Sequence, residues 1–302
     1  MEQRRCIRIR AVYIALLAVF ATAFADIAGA VDGAGAEYPV VVETVSFDSA
    51  DGATRLVGYL FRPEGVGPFP ALVLMHGRAG VHAAGRAANP SADSLSARHR
   101  HWARTWAAQG YLALLVDGFG PRGHAGGFPR GSYRDRPAAV DEQTVRPRDA
   151  DGAAVWLRTR PDVDAGRIGL FGWSNGAMAT LARVTRGVGD GGASATPFRA
   201  AVALYPGCAV PERTRARPQL PLLLVIAGAD DEVSPERCIR WATDVASGVA
   251  GFEWQVHPGA RHNFDGRALG SGASIADREA AAATEAAAFA FIARHLVAAP
   301  AR

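Results

Sequence analysis

Arg167-Ile168-Gly169-Leu170-Phe171-Gly172-Trp173-Ser174-Asn175-Gly176 runs from a short apolar segment into a Gly-x-Ser-x-Gly pentapeptide. Arg167 to Phe171 is short and apolar enough for a buried strand, and Ala177 to Arg183 is rich in good helix formers. A serine at a sharp strand-to-helix turn presents its hydroxyl as a nucleophile. Such a turn brings backbone segments together, so side chains at positions 172 and 176 would clash and glycine is required. The helix start behind Ser174 offers free N–H groups and a positive dipole end to a developing oxyanion. In a chain with 34 glycines the pentapeptide alone is a weak signal; the strand before it and the helix after it give it meaning.

Outward from this turn, strands and helices alternate. Val40 to Phe47 alternates and reads as a strand, with Leu56 to Phe61 as its hairpin partner across Asp51-Gly52. Ala71 to Met75, Tyr111 to Val116, Ala200 to Leu204 and Leu222 to Ala227 are apolar runs, as expected of strands buried on both faces, and Phe252 to Val256 is the last strand. Helices are expected over 94–109, 149–160, 236–247 and 278–297, and 187–195 is a glycine-rich loop. The glycines of Gly118-Phe119-Gly120-Pro121-Arg122-Gly123 do not open a helix, so the dinucleotide-binding fingerprint is not met. The pattern predicts one α/β domain over about residues 37–298, a mostly parallel sheet of about eight strands with helices on both faces.

The first 25 residues read as a secretory signal peptide, removed on export to the periplasm or medium. Arg4, Arg5, Arg8 and Arg10 precede an uncharged apolar run, Ala11 to Phe24, and Ala23-Phe24-Ala25 offers a small-x-small cleavage site before Asp26, with Ala28-Gly29-Ala30 a second candidate. The run falls short of the ~20 residues a spanning helix needs, so no stable membrane anchor is expected after its removal. The 302-residue chain has formal net charge +4, but without four Arg and one Glu of the signal it is (33 − 4) − (29 − 1) = +1. That near-neutrality argues against nucleic acid as a partner. Every basic residue among the 33 is Arg, so no single arginine stands out by type. Cys6 leaves with the signal, and Cys208 and Cys238 remain as a candidate disulfide of an exported protein. No Cys/His cluster has zinc spacing, and neither metal nor organic cofactor is expected.

A serine hydroxyl needs a histidine base, and the histidine needs an acid to fix its tautomer. Two strand-end stretches follow the serine in the required order, Gly228 to Pro235 and His257 to Phe264. The acid is Asp230, Asp231 or Glu232; Asp231 is chosen, three residues beyond Gly228 and four before Pro235. The base is His257 or His262; His257 sits at the strand end where it packs, and His262, in the following loop, is chosen. The oxyanion needs two backbone donors, expected from the N–H groups of Asn175 and Arg78.

Leu74-Met75-His76-Gly77, Asp117 to Gly123, the serine pentapeptide, Gly228 to Pro235 and Pro258 to Asp265 together resemble the dienelactone hydrolase family of the α/β-hydrolase superfamily, over most of residues 40–297. The resemblance implies hydrolysis of small-molecule esters or lactones and supports Asp231 and His262 as partners of Ser174. Two departures stand together. The family's usual cysteine nucleophile is serine at 174, and the glutamate often found in its oxyanion loop is Gly77. The expected enzyme is therefore an exported serine hydrolase with an ordinary Ser-His-Asp triad. A serine peptidase of the same fold is an alternative, although such enzymes usually carry a gating domain for which this length leaves no room. A catalytically dead binding protein is another. Arg78, Arg122, His124 and Tyr133 are expected near the site mouth, where an arginine would suit a substrate carboxylate, and Phe119 and Trp173 are candidates for the acyl pocket.

Overall fold

A computed structural model describes residues 40–186 and 196–296. The signal-peptide stretch and the 187–195 loop lie outside the described residues. The elements in chain order are β1 (Val41–Asp48), β2 (Arg55–Arg62), β3 (Phe69–Met75), α1 (Ala97–Ala108), β4 (Leu112–Asp117), α2 (Arg146–Arg158), β5 (Val163–Trp173), α3 (Asn175–Val184), β6 (Thr185–Arg186), β7 (Ala200–Leu204), α4 (Ala209–Thr214), β8 (Arg217–Pro218), β9 (Leu222–Ala227), α5 (Pro235–Ala246), β10 (Phe252–His257), α6 (Phe264–Ala268) and α7 (Ile275–Leu296).

Eight strands form one sheet in the order β1-β2-β4-β3-β5-β7-β9-β10. The β1–β2 and β2–β4 pairs are antiparallel, and every later pair is parallel. Period-two alternation divides β3 between two cores. Val73 and Met75 join Leu114, Leu170 and the apolar faces of α2, α3 and α5 on one side. Leu72 and Leu74 join Leu115, Phe171, Trp102 and Trp106 of α1, and Phe291 and Ile292 of α7 on the other. A strand buried on both faces cannot carry polar residues at alternate positions, which is why these runs are continuously apolar.

Some boundaries differ from the sequence expectation. β5 begins at Val163 and α7 at Ile275, and α2 begins at Arg146 with Pro147 in its first turn. Short α4 and α6 and the two-residue ribbon β6–β8 lie below the length at which periodicity identifies an element. Cys208, just before α4, is bonded to Cys238 on α5, with Cα atoms 5.0 Å apart, as the even pair suggested. Among the described residues, no helix is long and apolar enough to cross a membrane.

The parallel strands all point the same way. Their C-terminal ends therefore bring His76-Gly77-Arg78, Ser174, Tyr205, the Gly228–Glu232 loop and the Pro258–His262 loop to one edge of the sheet. Ligand sites of open parallel sheets lie at this edge.

Candidate active site

Ser174 sits between β5 and α3 with φ 50° and ψ −114°, a conformation that L side chains rarely adopt. Hydrogen bonds hold it there, from its N–H to Leu204 O (2.9 Å) and from Met178 N–H to its carbonyl (2.9 Å). The two glycines are needed for the reason read from the sequence. A Cβ on Gly176 would lie 2.0 Å from Met75 O, and one on Gly172 2.4 Å from Gly176 O. Both obstacles are backbone, so neither can step aside.

His262 Nε2 lies 2.8 Å from Ser174 Oγ, and its Nδ1 lies 2.7 Å from Asp230 Oδ2. A carboxylate only accepts, so Nδ1 carries the proton and Nε2 is the acceptor facing the serine. Both side chains are almost wholly buried. Gly228 N–H to His257 O and Ala229 N–H to Ala260 O, 2.9 Å each, tie the acid loop to the base loop. Tyr205 packs edge-on against the imidazole at 4.9 Å. Its hydroxyl donates to Asp265 Oδ1 (2.6 Å), and Trp102 Nε1–H donates to Asp265 Oδ2 (2.8 Å). Arg98 holds Asn263, the left-handed residue after His262, through its side-chain oxygen. His257, the rejected alternative, packs at the strand end against Phe264 and bonds Thr284 Oγ1 at 3.1 Å.

The acid position is a correction. Asp231 points outward, 38% exposed, and pairs with Arg130 Nη1 at 2.9 Å. Its neighbour Asp230 faces the histidine. Asp230 Oδ1 accepts from the N–H groups of Glu232 (2.8 Å) and Val233 (2.9 Å), an Asx turn that aims the carboxylate inward and leaves the next side chain facing out. That turn is the local signal in Asp230-Asp231-Glu232-Val233 that identifies the first acid rather than the second.

Glu232 lies beside the same imidazole, Oε2 3.9 Å from His262 Nε2. It is clamped by Arg78, whose Nε and Nη2 each donate to it at 2.8 Å. The guanidinium holds its carboxyl below the usual glutamate range. Arg78 Nη1 donates to Phe128 O at 3.1 Å, so its guanidinium is occupied by protein partners.

The loop after β3, the expected source of the second oxyanion donor, is set by His76, which is fully buried. Gly118 N–H donates to its Nε2 (3.2 Å), so Nδ1 carries the proton and donates to Gly77 O (2.7 Å). Burial, and after it the charge of Arg146, push the His76 imidazole well below its ordinary range and keep it neutral. Gly80 N–H also binds Gly77 O, at 3.2 Å. In a trans peptide the N–H points opposite to the C=O. The Arg78 N–H is thus directed away from this anchored carbonyl. A Cβ on Gly77 would lie 3.4 Å from Ser174 Cβ, which puts this peptide against the serine. Neither the Arg78 nor the Asn175 N–H donates to a partner among the described residues.

The expected substrate-contact residues divide. Arg122 is not a recognition residue at the mouth: its side chain is 6% exposed and is consumed by Asp149 (2.8 and 2.9 Å), Asp51 (2.7 Å) and Gly118 O (2.8 Å). Phe119 is fully buried, stacked edge-on to His76 at 4.5 Å and beneath Arg146. Trp173 is fully buried among Trp102, Phe171 and His99. Both were candidates for the acyl pocket, with core packing an equal reading for Trp173; both are buried, and Trp173 takes the core reading. His124 lies against Phe128 at 5.0 Å. Tyr133 is 49% exposed, and its hydroxyl donates to Glu142 Oε1 at 2.6 Å. Glu142 and Arg146, absent from the sequence reading, hold the Asn175 side chain. A cavity of about 160 Å³ opens one turn along α3 from Ser174, between Met178, Leu181, Val210, Pro211 and Thr214. Among the described residues, no group of His, Cys, Asp or Glu is arranged to hold a metal ion.

An eight-stranded, mostly parallel sheet with helices on both faces, and a serine on the turn after its fifth strand, defines an α/β hydrolase. The chain belongs to the dienelactone hydrolase family, whose model matches residues 56–296. Among solved structures it is similar to a putative dienelactone hydrolase from Klebsiella pneumoniae (19% identity, TM-score 0.66, covering 84% of this chain and 99% of that one). It is also similar to a dienelactone hydrolase-like promiscuous phosphotriesterase from metagenomic libraries (21%, 0.61, 85% and 99%). A puromycin-hydrolysing peptidase from Mycobacterium tuberculosis matches with 18% identity and TM-score 0.60, over 87% of this chain and 40% of that one. At these identities the likeness is one of fold.

Proposed function

We propose that this protein is an exported serine hydrolase that cleaves carboxylic esters or lactones through an acyl-enzyme. The observation that carries the reading is the hydrogen-bonded line Ser174–His262–Asp230. Ser174 Oγ attacks the substrate carbonyl as its proton passes to His262 Nε2, and Asp230 balances the imidazolium that forms. The carbonyl oxygen becomes an oxyanion, received by the N–H groups of Asn175 and Arg78. The tetrahedral intermediate collapses, and the leaving alcohol takes the proton from His262. Water then attacks the acyl-enzyme with His262 again as base, releasing the acid and restoring Ser174. In a lactone the alcohol and the acid remain one molecule.

Arg78, with its guanidinium engaged, is not the receptor for a substrate carboxylate. The decisive experiment is fluorophosphonate labelling followed by a graded panel of p-nitrophenyl esters, lactones and peptide amides. Ser174 should be the labelled residue, and Ser174→Ala should lose at least about 10³-fold in ester hydrolysis. Undiminished turnover in that variant would reject the mechanism, and turnover of amides alone would favour the peptidase reading. Export rests on the N-terminal stretch and is supported by the Cys208–Cys238 bond, which suits an oxidising compartment. Protein recovered from a periplasmic fraction should begin at Asp26.

A further inference from the structure

We propose that Arg146 and Glu142 are positioning residues for the oxyanion donor Asn175, linked to the surface through Tyr133. The inference rests on the hydrolase reading above and deepens it.

Asn175 opens α3, and its backbone N–H is the donor the oxyanion would meet first. Its side-chain amide is held at both ends. Arg146 Nη1 donates to Oδ1, and Nδ2 donates to Glu142 Oε2 at 2.8 Å. The two partners have opposite charge, so the amide has one orientation only: flipping it would turn its NH2 on a cation and its oxygen on an anion. The second oxygen of Glu142 accepts from the Tyr133 hydroxyl at 2.6 Å. A chain of hydrogen bonds thus runs from a half-exposed phenol to the residue after the nucleophile.

Arg146 is unusual in this chain. It is fully buried, and its Nε and Nη2 have no hydrogen-bond partner among the described residues. Its guanidinium lies 4.8 Å from the centre of the Phe119 ring, beside the neutral His76 that anchors the oxyanion loop. Burial lowers its pKa to about 10, so it stays a cation at neutral pH. A buried cation with two idle nitrogens costs stability that a well-packed apolar side chain would not. It also stands in the first turn of α2, where the helix dipole disfavours positive charge. Asp149 and Glu142 are its nearest opposite charges, so what remains to be accounted for is the pair of idle nitrogens and the helix-end position; a cation that fixes Asn175 accounts for both, since a preorganised donor at the oxyanion site acts selectively on the transition state.

The test uses Arg146→Met, Arg146→Lys, Glu142→Gln and Tyr133→Phe, with rates expressed per serine titrated by a fluorophosphonate. The second readout is inhibition by a trifluoromethyl ketone, whose adduct with the serine places an oxyanion in the same site. Arg146→Met should lower kcat about 10- to 100-fold and raise the ketone Ki by a similar factor, with KM within about threefold. Arg146→Lys should recover part of both losses. Tyr133→Phe, at the surface and safe for folding, should give a smaller loss in the same two quantities, and Glu142→Gln an intermediate one. A merely structural role would lower the melting temperature and leave both readouts unchanged; folded Arg146→Met with kcat and Ki within twofold of wild type overturns the inference. Should Arg146→Met fail to fold, unchanged values in both Tyr133→Phe and Glu142→Gln overturn it equally. A wild-type protein that takes up no fluorophosphonate overturns the hydrolase reading and this inference together, whereas a labelled wild type with indifferent variants overturns the inference alone.

Discussion

Replacing Asp230 by asparagine changes no volume, yet the structure predicts a severe loss. Asp230 Oδ1 accepts from two backbone N–H groups, those of Glu232 and Val233. An amide NH2 cannot accept, so the asparagine oxygen must take that position. The NH2 then replaces Oδ2, which lies 2.7 Å from His262 Nδ1. Facing a donor, Nδ1 must become the acceptor, and the imidazole proton moves to Nε2. Nε2 is the nitrogen 2.8 Å from Ser174 Oγ, and in that tautomer it cannot take the serine's proton. Disabling the base in this way costs about 10³- to 10⁴-fold in kcat, or roughly 4–5.5 kcal/mol of barrier. Glu232 cannot stand in, because its carboxylate approaches Nε2 rather than Nδ1.

Asp231→Asn is the matched control. It removes an ion pair to Arg130 whose two side chains are 38% and 52% exposed. Exposed pairs contribute about 0–1 kcal/mol to stability, and kcat should stay within about twofold. Hydrolysis of p-nitrophenyl acetate, divided by titrated serine and accompanied by near-ultraviolet circular dichroism, measures both variants on one scale. Crippled Asp231→Asn beside a nearly active Asp230→Asn would refute the assignment and the tautomer argument with it.

Two further outcomes follow from buried and clamped groups. His76 and His99 are both buried, and burial pushes His76 well below its ordinary range and His99 down to about 3. The unfolded chain takes up these protons near pH 6.5 and the native protein does not, so stability is complete above about pH 6.5 and lost as pH falls toward the depressed native values. Two such histidines approach a slope of about 2.7 kcal/mol per pH unit below that point; His82, His257 and His295, also lowered by burial, add to it, and His101, which Glu285 holds in its charged form, opposes it. Urea midpoints that do not fall between pH 6.5 and 5 would contradict the burial. Separately, Arg78→Met keeps the backbone donor but frees the Glu232 carboxylate to move onto His262, 3.9 Å away. kcat with p-nitrophenyl acetate should fall and return in Arg78→Met/Glu232→Gln; a single variant as active as wild type would show that the clamp is irrelevant to the base.

The local parts of this molecule were legible in its sequence. β3, β4 and β9 announce themselves as continuous apolar runs, and the elbow by glycines whose absent Cβ atoms would meet backbone. Ser174 and His262 follow from strand-end position, which topology converts into proximity. What failed were choices that depend on which way one side chain turns. Asp230 and Asp231 are adjacent, chemically identical and equally placed in the order of motifs; only the Asx turn separates them. Arg122, Phe119 and Trp173 turn inward instead, because Asp149 binds the Arg122 guanidinium, Phe119 packs between His76 and Arg146, and Trp173 joins the aromatic cluster on the α1 side of the sheet. Arg146 and Glu142 were not found at all. Their partners come from 29 and 33 residues away, and no period or motif encodes that contact.

Three consecutive carboxylates after β9 therefore do three different things, and the differences are set by what each meets. Asp230 meets two backbone donors and is turned onto Nδ1, where an acceptor fixes the productive tautomer. Asp231 meets solvent and Arg130. Glu232 would meet Nε2, the nitrogen that must stay free for the serine, had Arg78 not taken both of its oxygens. The same Arg78 supplies the backbone N–H facing away from the carbonyl that His76 anchors. On the proposed serine mechanism, position 78 joins its two requirements, a base kept clear for the nucleophile and a donor held for the oxyanion. With Gly77 where relatives often carry an acid, the carboxylate beside the histidine comes from the acid loop instead, and it is held there already paired.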